Sequence, residues 1–296
     1  MPEPAPLLLA VPNISEGADP EAIAAIADAF APATLLDVHS DTDHGRSVFT
    51  LAARQGELAR ALVAGARAAA ERIDLRAHTG SHPHVGALDV APVVHLDAAT
   101  RGAAVAEALT AAALIGDEAG LPVFLYGELA TAPDRRERAA LRSGGPGRLA
   151  QRVAAGELTP DFGPRHVEAA HGAVLVTARP PLVAFNLDLA TDDVELARRI
   201  AAGLRESGGG PPGVRAIGLL LPHRGRAQVS LNVHDHRAVP LAALVELVAA
   251  QAPIAEAELV GLAPAAALEG LPDDLSLRGF DPDRHVIENA LRSAGL

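Results

Sequence analysis

The 296-residue sequence predicts an α+β chain built from two copies of one unit. Three observations carry this. Residues 182–264 alternate strand-like and helix-like patterns in the order β-α-β-β-α-β. Residues 7–94 run through the same order, then add a helix and a strand. The composition is 49% hydrophobic but only 2% aromatic, so Ala, Leu and Val must fill both cores. The order is the split βαβ, ferredoxin-like pattern. The expected architecture is two ferredoxin-like subdomains side by side, residues 1–180 and 181–296, with a ligand groove between them.

Each element has its own signal. "LLLAV" (7–11) is an apolar run of strand length. Residues 19–30 read as a helix, with Asp19 as N-cap and Pro20 at the first helical position. "TLLDVHS" (34–40) and "RSVFTLAA" (46–53) are strands joined by the turn "DTDHG". Residues 57–73 are apolar at helical spacing, and 85–94 form a strand that Pro92 is expected to interrupt. A helix over 101–120 closes on Gly120 and is followed by the strand 123–127. Residues 131–180 read as irregular, which in so long a stretch marks function or a junction. After the strand 182–190, Thr191 is expected to cap the helix 192–206, whose first turn is acidic. The strands 214–222 and 226–235 flank a short turn, and a helix at 240–253 precedes a last strand at 256–264.

Composition narrows the chemistry. The net charge of −12 argues against nucleic-acid or anionic-membrane partners. With no cysteine there are no disulfides, thiolate metal ligands or thiol nucleophiles. All 25 basic residues are arginine, which excludes Schiff-base and P-loop lysines and favours bidentate grip on carboxylates. The N-terminus lacks a positive leader segment and no run reaches the ~18 apolar residues of a membrane span, so a cytoplasmic protein is expected.

The densest motif is "HTGSHPHVGALDV" (78–90), with His78, His82 and His84 inside seven residues. Pro83 pushes His82 to extended geometry, so the helical i, i+4 zinc spacing of His78 and His82 is not available. His82 and His84 share a face of an extended stretch, but no nearby acid completes a ligand set. The residues leave three readings: a metal site, a loop without function, or one positioned histidine framed by Pro83 and Gly86. Imidazole suits the last, since it takes and gives a proton near neutral pH. "VPNISEG" (11–17) is a strand-to-helix turn or a loop offering Asn13 and Ser15 to a ligand. "SDTDHGRSVFT" (40–50) is a solvated hairpin or a place for Arg46 to hold a ligand carboxylate. "PDFGP" (160–164) with "RHVEAAHG" (165–172) is a proline-bracketed loop carrying two histidines and an arginine.

These motifs, with "LVAFNLDL", "AQVSLNVHD" and "LVGLAP", occur in the order and spacing of the formiminotransferase family, and from about residue 7 onward the chain resembles that family. The resemblance implies transfer of a formimino group from N-formimino-L-glutamate to tetrahydrofolate, a co-substrate, without a metal. It implies a homodimer with folate between two ferredoxin-like subdomains. It implies His82 as the catalytic acid–base group. Folate binding would fall to Asp161, Phe162, Gly163, Pro164, Arg165, His166 and Gly172, and substrate binding to Asn13, His44, Arg46 and His84. Arg46 and Arg165 are the first choices for ligand carboxylates, with Arg224 and Arg226 behind them. A cyclodeaminase activity, found in bifunctional relatives, is not expected. Three positions depart from the family pattern: His84 replaces a usual arginine, Ser81 a glutamate and Gly45 an asparagine. They bear on the donor, and a formyl donor or another amine is the alternative. Non-catalytic folate binding and a metal-dependent hydrolase built on His78, His82 and His84 are the competing functions.

Overall fold

The computed structural model describes residues 5–296. Residues 1–4, which open the segment read as lacking a leader, lie outside the described residues. The chain divides between Pro180 and Pro181 into two compact units.

The first unit contains β1 (Leu7–Ala10), β2 (Asn13–Ile14), α1 (Pro20–Ala29), β3 (Thr34–Asp41), β4 (Arg46–Arg54) and α2 (Leu58–Arg72). It continues with β5 (Leu88–Val94), α3 (Arg101–Glu118), β6 (Val123–Leu125), α4 (Arg138–Arg142), α5 (Gly145–Ala154) and β7 (Val174–Arg179). The strands form one seven-stranded sheet. Across it run β3, β4, the collinear pair β1 and β2, β5, β7 and β6; the pairings up to β5 are antiparallel, and β5–β7–β6 are parallel.

Local chemistry sets several boundaries. Asp19 caps α1 by accepting the N–H groups of Glu21 and Ala22, with Pro20 at the first turn as expected. The first strand is interrupted at Pro12, which has no N–H to offer. Pro92, by contrast, stays within β5, and its carbonyl accepts the Val11 N–H. Residues 131–180 are less irregular than the sequence suggested: they hold α4, α5 and β7. β7 is buried on both faces between β5 and β6, so it shows no alternation of apolar and polar residues.

The two faces of this sheet differ. Phe49, Leu51 and Ala53 of β4 and Val174, Val176 and Ala178 of β7 pack on α1, α2 and α3 in the main core. The intervening residues point the other way. At the β6–β7 end that second face is apolar, with Phe124 and Leu175 under Leu141 of α4 and Leu149 and Val153 of α5. At the β3–β4 end it is polar: Asp37, His39 and Asp41 stand opposite Thr50, Val48 and Arg46.

One expectation is corrected. Residues 98–118 form a helix long and apolar enough to cross a membrane by length and composition. Here it is a core helix: Ala104, Ala108, Ala111, Ala112 and Ile115 are fully buried. Its buried Glu107 accepts the backbone N–H groups of Gly56 and Ala59, at 2.7 Å each, where α2 begins.

The second unit contains β8 (Val183–Leu189), α6 (Val194–Leu204), β9 (Val214–Leu221), β10 (Arg226–Val233), α7 (Leu241–Ala249) and β11 (Ile254–Val260). Two short helices follow, α8 (Pro282–His285) and α9 (Ile287–Ser293). The strand order is β11-β8-β10-β9, antiparallel throughout. Asp193, not Thr191, caps α6 through the Leu196 N–H. Both helices pack on Val183, Phe185, Leu187 and Leu189. The opposite face carries buried polar groups: Gln228 donates to Asp188 at 2.7 Å, and Asn186 to Glu258 at 3.2 Å.

Candidate active site

The polar part of the first sheet is organised around Asp89, an aspartate with 0% exposure inside the apolar run of β5. One oxygen accepts the Val85 N–H at 2.9 Å. The other accepts two guanidiniums, Arg46 Nη2 at 2.8 Å and Arg142 Nη2 from α4. Arg46 is thus not free to wait for a ligand carboxylate with its whole fork, as the sequence suggested. Its Nε donates to Asn13 Oδ1 at 2.9 Å, and its Nη1 contacts His82 Nδ1.

That contact sets the proton on His82. A guanidinium only donates, so Nδ1 is the acceptor and the neutral ring carries its proton on Nε2. The Pro83 carbonyl lies 2.8 Å from the same Nδ1 and is the acceptor available to the other tautomer. Burial among protein atoms lowers the His82 pKa well below 6.5, and the positive charges of Arg46 and Arg142 push the same way, so His82 is neutral at pH 7. Burial would raise Asp89, but the two arginines outweigh it and hold the carboxylate below its usual range. Burial pulls Arg142 down to about 9, which leaves it charged at neutral pH.

The loop carrying His82 is laced to the β3–β4 turn. Ser81 N and Oγ both donate to Asp43 O, at 3.0 and 2.8 Å, and His82 N donates to His44 O at 3.3 Å. The His44 and His82 rings meet edge to face with centroids 6.0 Å apart. Gly45 makes this possible: its φ is +62°, and a Cβ there would lie 2.7 Å from Gly80 Cα. His78 donates from Nε2 to Gly45 O at 2.9 Å and accepts the Gly80 N–H at Nδ1. Both its nitrogens are engaged, so it offers no lone pair to a metal, and among the described residues no group of three ligating side chains is found. The His84 ring lies tilted against that of His78, centroids 4.0 Å apart; burial, then His78, lowers its pKa.

Of the residues singled out by sequence, Asn13, His44, Arg46 and His82 are therefore brought together. Ser15 is not: it is buried and donates to Gly86 O at 2.8 Å. The loop 161–172 is divided. Asp161 accepts the Leu125 N–H, Thr131 Oγ1 and Arg135 beyond β6, and Phe162 bridges to Val123, at the sheet edge two strands from β5. Gly163, at φ +78°, packs against Gly116 of α3, and Arg165 is exposed. Pro164 leads to His166, which lines a cavity of about 460 Å³ with Glu168, His171 and Gly172 against α2 and the end of α3. The end of the loop reaches the chain that carries His82, through Leu75 N to Ala170 O and Ala87 N to His171 O, at 2.9 Å each, and a bridge between Gly172 and Gly86. Arg224 and Arg226 belong to the second unit's network, paired with Asp188 at 3.5 Å and Glu256 at 3.2 Å.

Sequence reasoning missed Asp89 and Arg142. Asp89 had a signal, a lone acid within "GALDVAPVV", where a buried charge needs a partner. Arg142 had none: it is one of four arginines in "RRERAALR".

Comparison with known proteins identifies the family. Residues 7–179 match the formiminotransferase domain, N-terminal subdomain, and residues 184–271 match the formiminotransferase domain. Glutamate formimidoyltransferase of Streptococcus pyogenes serotype M1 is 36% identical over 95% of this chain and 97% of its own. The enzyme of the same name from Thermoplasma acidophilum is 36% identical over 97% and 98%. Formimidoyltransferase-cyclodeaminase of Sus scrofa is 38% identical over 88% of this chain but only 51% of its own length. On these matches, which together span nearly all of the sequence, the chain belongs to the formiminotransferase family.

Proposed function

We propose that the chain is a glutamate formimidoyltransferase that moves a formimino group from N-formimino-L-glutamate to tetrahydrofolate, with His82 as the proton carrier. The observation that carries the activity is the near full-length similarity to two proteins of that name. The role of His82 is supported by its neutral ring, its partial exposure and its firm mount.

The chemistry requires N5 of tetrahydrofolate to attack the amidine carbon, lose a proton, and expel the glutamate nitrogen, which gains one. In the free chain Arg46 occupies His82 Nδ1. When an incoming carboxylate takes over the Arg46 Nη1 N–H, the ring gives up its Nε2 proton to solvent and takes one from solvent at Nδ1, which donates to the Pro83 carbonyl, so that Nε2 becomes the base. It takes the N5 proton and returns it to the departing nitrogen. The ligand's negative charge offsets part of the arginine field, which brings the His82 pKa back toward the working pH, where acid–base exchange is most effective. This step needs no metal.

The folate site is proposed to use Gly172 and the loop that precedes it; the support is the family resemblance and the short path from Gly172 to Gly86. The ferredoxin-like description belongs to the same reading, supported by strand order β11-β8-β10-β9 with two helices on one face. A homodimer acting in the cytoplasm on small molecules alone completes it. The test is incubation of the purified chain with formiminoglutamate and tetrahydrofolate, reading glutamate release. Release that depends on both supports the proposal. Release with formylglutamate instead moves the assignment to a formyl donor, and folate binding without turnover moves it to a carrier.

A further inference from the structure

We propose that Arg142, on α4, is a positioning residue for the transfer: through Asp89 it holds Arg46, and through Arg46 it mounts the ring of His82 in the free chain, ready for the ligand. The inference rests on the reading of His82 given above. The chain of contacts is continuous. Arg142 Nη2 and Arg46 Nη2 donate to the same Asp89 oxygen, and Arg46 Nη1 contacts His82 Nδ1. Asp89 is itself anchored to Val85 N, three residues beyond His82.

A lock with only a structural purpose needs one arginine on one carboxylate. Here a second guanidinium is buried, its side chain 6% exposed, although Asp89 already has Arg46. Burying a cation without its own anion is costly. Arg142 Nε also has no hydrogen-bond partner. Arg142 and Leu141 are the buried residues of the short α4: Leu141 seats the helix on Phe124 and Leu175, and Arg142 ties it to Asp89. The surplus positive charge acts on His82. The groups that face the ring are Arg46 from β4, His44 from the β3–β4 turn, and Arg138 and Arg142 from α4, with Asp89 as the buried anion among them. All four cationic or titratable groups disfavour protonation of His82.

The test uses the full chain with Arg142→Gln and Arg142→Lys. Arg142→Gln leaves the matched pair Arg46–Asp89, so the fold is retained. Its kcat/KM at pH 7 falls by about tenfold to a hundredfold, less than the roughly 10²–10⁴ that the acid–base group itself supplies, as suits a residue that acts through it. The acid limb of its pH–rate profile moves to higher pH, and NMR titration of the His82 ring moves in step. Arg142→Lys keeps the charge and returns the limb to the wild-type position. An Arg142→Gln limb and His82 titration that superimpose on wild type overturn the inference, whatever the rate. Should Arg142→Gln not fold, Arg142→Lys decides: kcat lowered with KM and limb unchanged supports positioning, and unchanged kcat overturns it. His82→Ala is assayed alongside. Full turnover in that variant removes the reading of His82, whereas a dead His82→Ala with an unmoved Arg142→Gln removes only the role of Arg142.

Discussion

Replacing Asp89 with Asn removes the buried anion of the cluster while keeping its shape. The carboxylate is 0% exposed and accepts from the Val85 N–H, Arg46 Nη2 and Arg142 Nη2. Asn keeps the shape and one acceptor oxygen, but sets an N–H₂ against a guanidinium and leaves two buried cations without an anion. Breaking a buried pair by removing one partner costs about 3–5 kcal/mol. For a unit of this size each kcal/mol lowers Tm by about 2–4 °C, so a drop of about 6–20 °C is expected. Calorimetry and urea denaturation of the full chain, with the first-unit transition followed separately, provide the assay. Adding Arg142→Gln to Asp89→Asn should recover part of the loss, because one unpaired cation goes with it. The pH dependence has a definite sign. Asp89 is depressed in the folded state, so its contribution is complete above the usual carboxylate range and disappears as pH falls through the lower folded value. A loss below about 1 kcal/mol for Asp89→Asn would refute the claim that this carboxylate neutralises the cluster.

Three further outcomes are expected. The wild-type kcat/KM profile should stay flat from neutral pH to below 6.5, because burial and the arginines keep His82 deprotonated there; a limb at or above 6.5 contradicts that environment. Gly45→Ala should destabilise the chain by more than about 1 kcal/mol in a denaturant series, since φ is +62° and the new Cβ meets Gly80 Cα at 2.7 Å. Turnover should survive exhaustive chelation, and loss of rate restored by zinc would revive the metal reading.

The succession of strands and helices in the two units was legible, because short apolar runs are separated by stretches of helical spacing. Asp19 and Pro20 mark α1 with local chemistry alone. β7 was not legible, since a strand buried on both faces has no period to read. α3 was legible as a helix, but its span-like composition was passed over, since alanine is apolar enough to make one; what marks it as a core helix is the packing of Ala104, Ala108 and Ala111. His82 stood out through Pro83 and the histidines around it. Its electrostatic environment did not, because Arg46, Asp89 and Arg142 come from positions 43 and 53 residues apart and meet only through sheet pairing and the seating of α4. The loop 161–172 was legible as an unusual segment, but nothing local shows that it begins beyond β6 and ends beside Gly86.

The central claim, that His82 carries the proton in formimino transfer, is tested most directly by comparing wild type and His82→Ala in single-turnover transfer from formiminoglutamate to bound tetrahydrofolate, with folate affinity measured on both. The account predicts a transfer rate at least about a hundredfold lower in His82→Ala with folate affinity nearly unchanged. Equal transfer rates in the two proteins would contradict it.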